Sequence, residues 1–131
     1  MQASLEESDV GLAIDRAFSR RARRSLVIEL TDLLDPDAAA ALIRRTRSLV
    51  PRHLPMIVSL QDGELHTIAH SVPTTTDEAY QRVAAARLER DGAATVARLR
   101  DGGARVVRGP PSSFANASVN AYLDVKARGL L

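Results

Sequence analysis

The stretch SLVIELTDLLDPD, from Ser25 to Asp37, predicts a buried strand that runs through an acidic turn into a helix. Leu26, Ile28 and Leu30 line one face of this strand, and Val27 and Thr31 line the other, so both faces can be covered. Such a strand is typical of a parallel sheet that helices cover on both sides. We therefore expect an α/β fold.

The acidic turn after this strand is the first candidate for chemistry. Asp35 fits a helix N-cap, Pro36 fits the first helical position, and Asp37 adds negative charge to the first turn. Thr31 and Asp32 stand at the carboxyl end of the strand. Ligands of open α/β sheets bind outside the carboxyl ends of strands, so Asp32 is where we expect chemistry.

Helical and extended patterns alternate along the rest of the chain. The predicted helices cover about residues 4–24, 36–50, 64–70, 75–101 and 113–128, and the predicted strands about residues 25–31, 55–60 and 104–107. Capping-box spacings at Ser4 with Glu7 and at Thr75 with Glu78 mark two of the helix starts. This order predicts a single domain over residues 1–131, a three-layer α/β sandwich around a small parallel sheet.

Apolar residues at helical spacing predict which face of each helix is buried. The predicted inward residues are Val10, Ala13, Ile14, Ala17 and Phe18 in the first helix, Ala39, Leu42, Ile43, Thr46, Leu49 and Val50 in the second, Tyr80, Val83, Ala84 and Leu88 in the long helix, and Ala115, Val119, Tyr122 and Leu123 in the last. Glu29 is an exception within the sheet, because a covered strand has no room for an unpaired carboxylate. We expect Glu29 to meet an arginine or to lie on a partly open face.

The composition excludes several classes of function. The 131 residues include no cysteine, which excludes disulfides, thiolate metal sites and a cysteine nucleophile. The amino terminus MQASLEESDV is unlike a signal peptide, and no apolar run approaches the ~20 residues of a membrane span, so we expect a cytoplasmic protein. A net charge of +2 gives little support to nucleic-acid binding. We interpret the arginines of residues 20–24 as the solvated end of a helix, with a phosphate-binding patch as the alternative.

Three aspartates follow the first two strands and form the leading candidate metal site. Asp32 and Asp35 follow the first strand and Asp62 follows the second, so adjacent parallel strands bring them to one edge of the sheet. Oxygen ligands of this kind suit Mg²⁺. The alternative is a local role, in which Asp35 caps a helix and Asp62 forms an Asx turn.

The histidines and glycines define no familiar motif. His66 and His70 have the i, i+4 spacing that can bind Zn²⁺, but there is no H-E-x-x-H motif and no clear third ligand, so we interpret them as exposed helix residues. We expect His53 to be solvated in a loop and Ser59 to be packed within a strand. The sequence contains no P-loop, no dinucleotide-binding fingerprint and no nucleophile elbow.

Three segments carry a resemblance to a known family: residues 23–62 (RRSLVIELTDLLDPDAAAALIRRTRSLVPRHLPMIVSLQD), 79–111 (AYQRVAAARLERDGAATVARLRDGGARVVRGPP) and 118–131 (SVNAYLDVKARGLL). They resemble the later part of a bacterial domain-of-unknown-function family, number fifty-eight. Its members are von Willebrand factor A-like proteins that are often encoded beside MoxR-type AAA+ ATPases. Because Ser25 begins what corresponds to the fourth strand of that domain, we expect this chain to be the carboxyl half of a longer domain.

The resemblance implies a von Willebrand factor A-like, Rossmann-like fold with a metal-ion-dependent adhesion site. In the family pattern, the ligands are an Asp-x-Ser-x-Ser loop after the first strand, a threonine from another loop and an aspartate after the fourth strand. Only the last can be carried over, and it falls on Asp32. No Asp-x-Ser-x-Ser occurs in this sequence, and Glu29 stands where an apolar residue is expected.

Two functions follow from these observations. The first is a non-enzymatic protein-interaction module whose partner, by resemblance, is a MoxR-type ATPase. The open edge of the strand at residues 25–31 also predicts a homodimer. The alternative is a Mg²⁺-dependent phosphotransfer or hydrolase site around Asp32, by analogy with other α/β folds.

Overall fold

The computed structural model describes residues 24–131. The predicted first helix, with its inward stripe and the arginines at positions 20, 21 and 23, lies outside the described residues. The elements are β1 (Leu26–Thr31), α1 (Pro36–Leu49), β2 (Leu54–Leu60), α2 (Gly63–His70), α3 (Thr76–Asp101), β3 (Arg105–Gly109) and α4 (Pro111–Ala127). All strands and helices predicted for this part of the chain are confirmed, with ends that shift by one or two residues.

The three strands form one parallel sheet in the order β1-β2-β3, which confirms the predicted α/β class and small parallel sheet. β2 lies in the middle, where Ile57 pairs with Glu29 of β1 and with Val106 of β3. Six of the seven residues of β2 are buried, as its apolar sequence LPMIVSL predicts. Because the three strands are parallel, their carboxyl ends meet at one edge of the sheet.

Helices cover both faces of β2 and produce three layers. On one face, Ile57 packs with Leu42 of α1 and Leu99 of α3. On the other face, Met56 and Val58 pack with Val125 of α4. The side chains of β2 alternate between the two clusters, because successive residues of a strand point to opposite faces.

β1 is covered less completely than its sequence predicts. Val27 is buried, but Ile28 and Leu30 are 52% and 70% exposed. The expectation that helices cover both faces of this strand is therefore wrong for the face of β1 that carries Ile28 and Leu30. β1 pairs with β2 on one side, and no strand among residues 24–131 pairs with its other side.

Two polar side chains, those of Glu29 and His53, form hydrogen bonds that connect the β1 region to α1 and to the start of β2. The Glu29 carboxylate accepts hydrogen bonds from Nε and Nη2 of Arg45 on α1, so Glu29 does meet an arginine. His53 is 3% exposed, and its Nδ1 accepts a hydrogen bond from the Ser25 N–H at 3.2 Å. The expectation of a solvated His53 is wrong, because this side chain joins the starts of β1 and β2.

The helix starts follow the capping residues found in the sequence. The Asp35 side chain accepts from the Asp37 N–H, Pro36 occupies the first position of α1, and the Thr75 hydroxyl accepts from the Glu78 N–H at 3.2 Å. The inward stripe predicted for α1 is also confirmed, because Ala39, Leu42, Thr46 and Leu49 are buried and Ile43 and Val50 are partly buried.

The inward faces predicted for α3 and α4 are wrong. The large apolar residues named in the prediction are exposed, namely Tyr80, Val83 and Leu88 in α3 and Val119, Tyr122 and Leu123 in α4. The buried residues of α3 are Ala85, Gly92, Val96 and Leu99, and that of α4 is Val125. Small side chains face inward in the first half of α3 because the short helix α2 packs against it there.

Among the described helices, none combines the length and the apolar character needed to cross a lipid bilayer.

Candidate functional site at the carboxyl edge of the sheet

A cleft of about 700 Å³ lies at the carboxyl edge of the sheet. Leu60 of β2, Arg108 of β3 and Asp32 of the turn after β1 line it, and α2 and α3 form one of its walls. The polar and charged lining residues are Asp32, Gln61, Asp62, His66, His70, Glu89 and Arg108. The position of the cleft agrees with the general rule for ligand sites in open α/β sheets.

The structure brings two of the three predicted metal-ligand candidates into this cleft. Asp32 and Asp62 both line it, whereas Asp35 is not among its lining residues. Asp32 Oδ1 accepts a hydrogen bond from the Leu34 N–H at 3.2 Å. Asp62 Oδ1 accepts from two N–H groups at the start of α2, those of Glu64 at 2.9 Å and Leu65 at 3.2 Å.

Asp32, Asp35 and Asp62 each also have a local structural role. Asp35 caps α1 and Asp62 caps α2, as the alternative interpretation of the sequence proposed. Asp32 holds the turn after β1 through its bond to the Leu34 N–H, and its second oxygen carries no hydrogen bond to a described residue. Asp32 as a metal ligand therefore stays a prediction.

Leu33 determines where Asp32 stands. Leu33 has a φ of 59°, in the left-handed region that residues with a Cβ seldom occupy, and its side chain is 5% exposed in the core with Leu42 and Ile57. Burial of this side chain offsets the backbone strain. The turn is thereby anchored directly beside the cleft, with the Asp32 carboxylate at the surface.

The wall formed by α2 and α3 carries two histidines and a glutamate. His66 Nδ1 lies 2.9 Å from Glu89 Oε1, and His70 Nδ1 lies 3.9 Å from Glu89 Oε2. The imidazole ring centroids are 4.2 Å apart. Both histidines are exposed, as the sequence predicted, while Glu89 is partly buried.

Sequence reasoning missed Glu89. It is 23 residues from His66 and on another helix, so no local motif joins them. The available signal was the spacing of the small and apolar residues Ala85, Gly92, Val96 and Leu99, which places Glu89 on the same inward side of α3. The larger residues Tyr80, Val83 and Leu88 obscured this stripe.

Arg108 brings a positive charge to the same cleft from the carboxyl end of β3. Its Nε is buried and has no hydrogen-bond partner among the described residues. The guanidinium crosses α3 at Gly92, where a Cβ would lie 2.9 Å from Nη2 of Arg108. The glycine at this position therefore leaves room for the Arg108 side chain.

Ser59 is fully buried within β2, as predicted, and its hydroxyl also has no hydrogen-bond partner among the described residues. A serine in this position offers no access to a substrate. The described residues that line the cleft include neither a serine nor a lysine. Lys126, the only lysine of the sequence, belongs to α4 and lies outside the cleft.

No family model, curated protein or solved structure matches this chain. The fold and the cleft thus stand on the sequence and structure of this chain alone.

Proposed function

We propose that this chain is a non-enzymatic, cytoplasmic protein-interaction module that acts as von Willebrand factor A-like partners of MoxR-type AAA+ ATPases do. The observation that carries the proposal is the edge of β1 that has no strand partner among residues 24–131, together with the exposed apolar residues Ile28 and Leu30. An edge strand presents unpaired N–H and C=O groups to which another chain can add a strand.

The same side of the sheet offers further apolar surface. Ile28 and Leu30 project to the face of the sheet that α4 covers, since they alternate with Val27 and Glu29 on the α1 side. Val119, Tyr122 and Leu123 of α4 are exposed as well. Exposed apolar residues of this size are candidates for an interaction surface.

The resemblance of residues 23–62, 79–111 and 118–131 to family fifty-eight supports the choice of partner. That family is associated with MoxR-type ATPases, and its adhesion-type site would be incomplete here, with Asp32 as the only ligand that carries over. We therefore propose that an extended segment of the ATPase adds to β1, with its apolar side chains against Ile28 and Leu30.

The test is a binding measurement between the purified full chain and the MoxR-type ATPase encoded nearest to it. We expect binding at micromolar protein, and we expect Ile28→Lys/Leu30→Lys to weaken it at least about tenfold, the equivalent of 1.4 kcal/mol. Val72→Lys is the matched control, because Val72 is 84% exposed but lies in the connector between α2 and α3.

Retention of full affinity by the double lysine variant would assign the interaction to another surface. No binding of the wild-type chain at micromolar concentration would remove the ATPase as the partner. Circular dichroism of both variants checks that the fold is intact, and we expect it to be, because both target residues of β1 are exposed.

A second candidate function is a Mg²⁺-dependent phosphotransfer or hydrolase site at Asp32. The observation that favours it is the presence of Asp32 and Asp62 in one cleft at the carboxyl edge of the sheet, together with Arg108. Oxygen ligands suit Mg²⁺, and an arginine suits a phosphoryl group. Mg²⁺ titration followed by amide NMR shifts at Asp32 and Asp62 tests it, and unchanged shifts up to millimolar Mg²⁺ would exclude the site.

A further inference from the structure

His66, His70 and Glu89 have the composition of a three-ligand metal site. One potential ligand atom from each side chain lies within 4.8 Å of the other two. Zinc–ligand bonds of about 2.0–2.2 Å in a tetrahedron place neighbouring ligand atoms about 3.3 Å apart. The separation of 2.9 Å between His66 Nδ1 and Glu89 Oε1 is slightly shorter than this. The full spread of up to 4.8 Å is wider than a tetrahedral site, and the exposed side chains of His66 and His70 are the ones that would rotate to close around an ion.

The two helices hold the three residues in position. His66 and His70 are one turn apart on α2, and the packing of α2 against α3 supplies Glu89. Asp62 fixes the start of α2 through two backbone N–H groups. The site thus rests on capped, packed helices and not on a loop.

A hydrogen bond also prepares His70 for a metal. The Nδ1–H of His70 donates to the His66 carbonyl oxygen at 2.9 Å, because a carbonyl can only accept. Nε2 of His70 is then the nitrogen with the free lone pair. Metal-ligating histidines commonly donate their other ring N–H to a carbonyl in this way.

The charge of the cleft favours a divalent cation. Its charged lining residues are Asp32, Asp62, Glu89 and Arg108, so three carboxylates and one guanidinium give a formal charge of −2. Glu89 in addition lies close to two imidazoles, which are neutral when they bind metal. Imidazole nitrogen with one carboxylate oxygen is a ligand set that suits zinc, whereas Mg²⁺ prefers oxygen alone.

We propose that His66, His70 and Glu89 bind a zinc ion at the wall of the carboxyl-edge cleft. The site is distinct from the Mg²⁺ candidate at Asp32, and it does not depend on the proposed interaction with an ATPase. Three protein ligands leave a fourth position for water or for an anionic donor. Arg108 lines the same cleft, so its charge is available to such a donor.

The experiment is isothermal titration of Zn²⁺ into the full chain, carrying no polyhistidine tag and freed of metal beforehand. We expect one ion per chain with micromolar or tighter affinity. We expect a higher melting temperature with zinc, because an ion that binds only the folded state stabilises it. Binding of Co²⁺ should give the visible absorption spectrum that is typical of a tetrahedral site. This spectrum reports on the coordination of the ion independently of the calorimetric titration.

Two variants and two matched controls assign the ligands. His66→Gln/His70→Gln and, separately, Glu89→Gln should each weaken zinc binding at least about tenfold. Glu64→Gln and Thr67→Ala change exposed residues of the same helix α2 outside the ligand set, and they should bind zinc as the wild type does.

The outcomes separate the proposal from its alternatives. No zinc binding by the wild-type chain up to millimolar metal would overturn it, as would equal affinities of the wild type and the double histidine variant. Equal losses in Glu64→Gln and Glu89→Gln would indicate unspecific binding to surface carboxylates and would also overturn it. Normal circular dichroism of the variants shows that a lost affinity is a loss of ligands.

Discussion

Glu29 and Arg45 form an ion pair that links β1 to α1. Their side chains are only 23% and 28% exposed, so the pair is less screened by solvent than a surface salt bridge. We expect Glu29→Ala to lower the free energy of unfolding by about 1–2 kcal/mol, between the values typical of exposed and buried pairs. Urea denaturation measures this loss. A double-mutant cycle with Arg45→Ala should show coupling, whereas a cycle with the exposed neighbour Arg44→Ala should show none.

Asp32 and Asp62 occupy similar positions but should differ in their contribution to stability. Asp62 accepts two backbone N–H groups as the N-cap of α2, so we expect Asp62→Ala to cost about 1 kcal/mol. Asp32 is exposed and accepts one bond at 3.2 Å, so Asp32→Ala should cost less than about 1 kcal/mol. Thermal unfolding of the two variants compares them directly. A larger loss in Asp32→Ala would show that its carboxylate holds the turn after β1 more strongly than its contacts indicate.

Glu78, at the start of α3, contributes a stability that depends on pH. Hydrogen bonds from the Thr74 N–H and the Thr74 hydroxyl hold the pKa of Glu78 below its ordinary value of 4.5. A carboxyl whose pKa is lowered by folding stabilises the fold above the unfolded-state pKa. That contribution is lost as the pH falls through the lower, folded-state pKa.

The variant Glu78→Gln tests this contribution at the level of the helix. The wild type should be more stable than Glu78→Gln above the ordinary pKa of 4.5, and the difference should shrink as the pH falls below it. Denaturant midpoints measured across the acidic range provide the comparison. Thr74→Ala removes the hydroxyl that donates to Glu78, so NMR titration should find the pKa of Glu78 raised toward its ordinary value in that variant.

The position of a strand in the sheet decides the cost of truncating it. Ile57, in the central strand, is 1% exposed and packs between Leu42 and Leu99, so Ile57→Ala should cost about 2–5 kcal/mol. The sequence alone predicts the same cost for Leu30→Ala. The structure changes that expectation, because Leu30 is 70% exposed and its truncation should cost less than about 1 kcal/mol. Denaturant midpoints of the two variants check this difference.

The starts of the helices were predictable from the sequence where capping residues mark them. Asp35 with Pro36 and Thr75 with Glu78 mark helix starts by local hydrogen bonding, which a sequence displays directly. The buried face of α3 was not predictable in the same way, because its first half packs through Ala85 and Gly92. Small residues carry little hydrophobic signal, and the exposed Tyr80 and Val83 gave a stronger but misleading one.

At the scale of the whole molecule, the site was predictable only as far as the topology of a parallel sheet determines it. Asp32 and Asp62 follow adjacent strands, so their arrival in one cleft was expected from the strand order. Glu89 and Arg108 reach the cleft from the middle of α3 and from β3, and their meeting depends on how α3 packs across the sheet. The spacing of the small residues in α3 indicates its inward side, but the approach of Arg108 to Gly92 depends on tertiary structure.

The open edge of β1 leads to a prediction about assembly. A two-fold axis perpendicular to β1 would pair this strand with its copy in an antiparallel arrangement and join two three-stranded sheets into one. Such pairing would satisfy backbone groups that have no strand partner among residues 24–131, and it would bring Ile28 and Leu30 near their copies. Glu29 opposes this pairing only weakly, because Arg45 already neutralises its charge.

We therefore expect the chain of 14.2 kDa to form a dimer in light scattering over a dilution series, and to dissociate at low concentration. Ile28→Lys/Leu30→Lys should shift the mass toward the monomer, because lysines on an edge strand repel their copies and hinder pairing. Val72→Lys adds a lysine at an exposed apolar site away from the edge and should leave the dimer intact. Hydrogen exchange supplies a second measure, since the amides of β1 should be protected in the dimer and exchange faster in the double lysine variant. A chain that is monomeric at every concentration, with a cooperative melt, would show that the edge of β1 is closed within the chain itself.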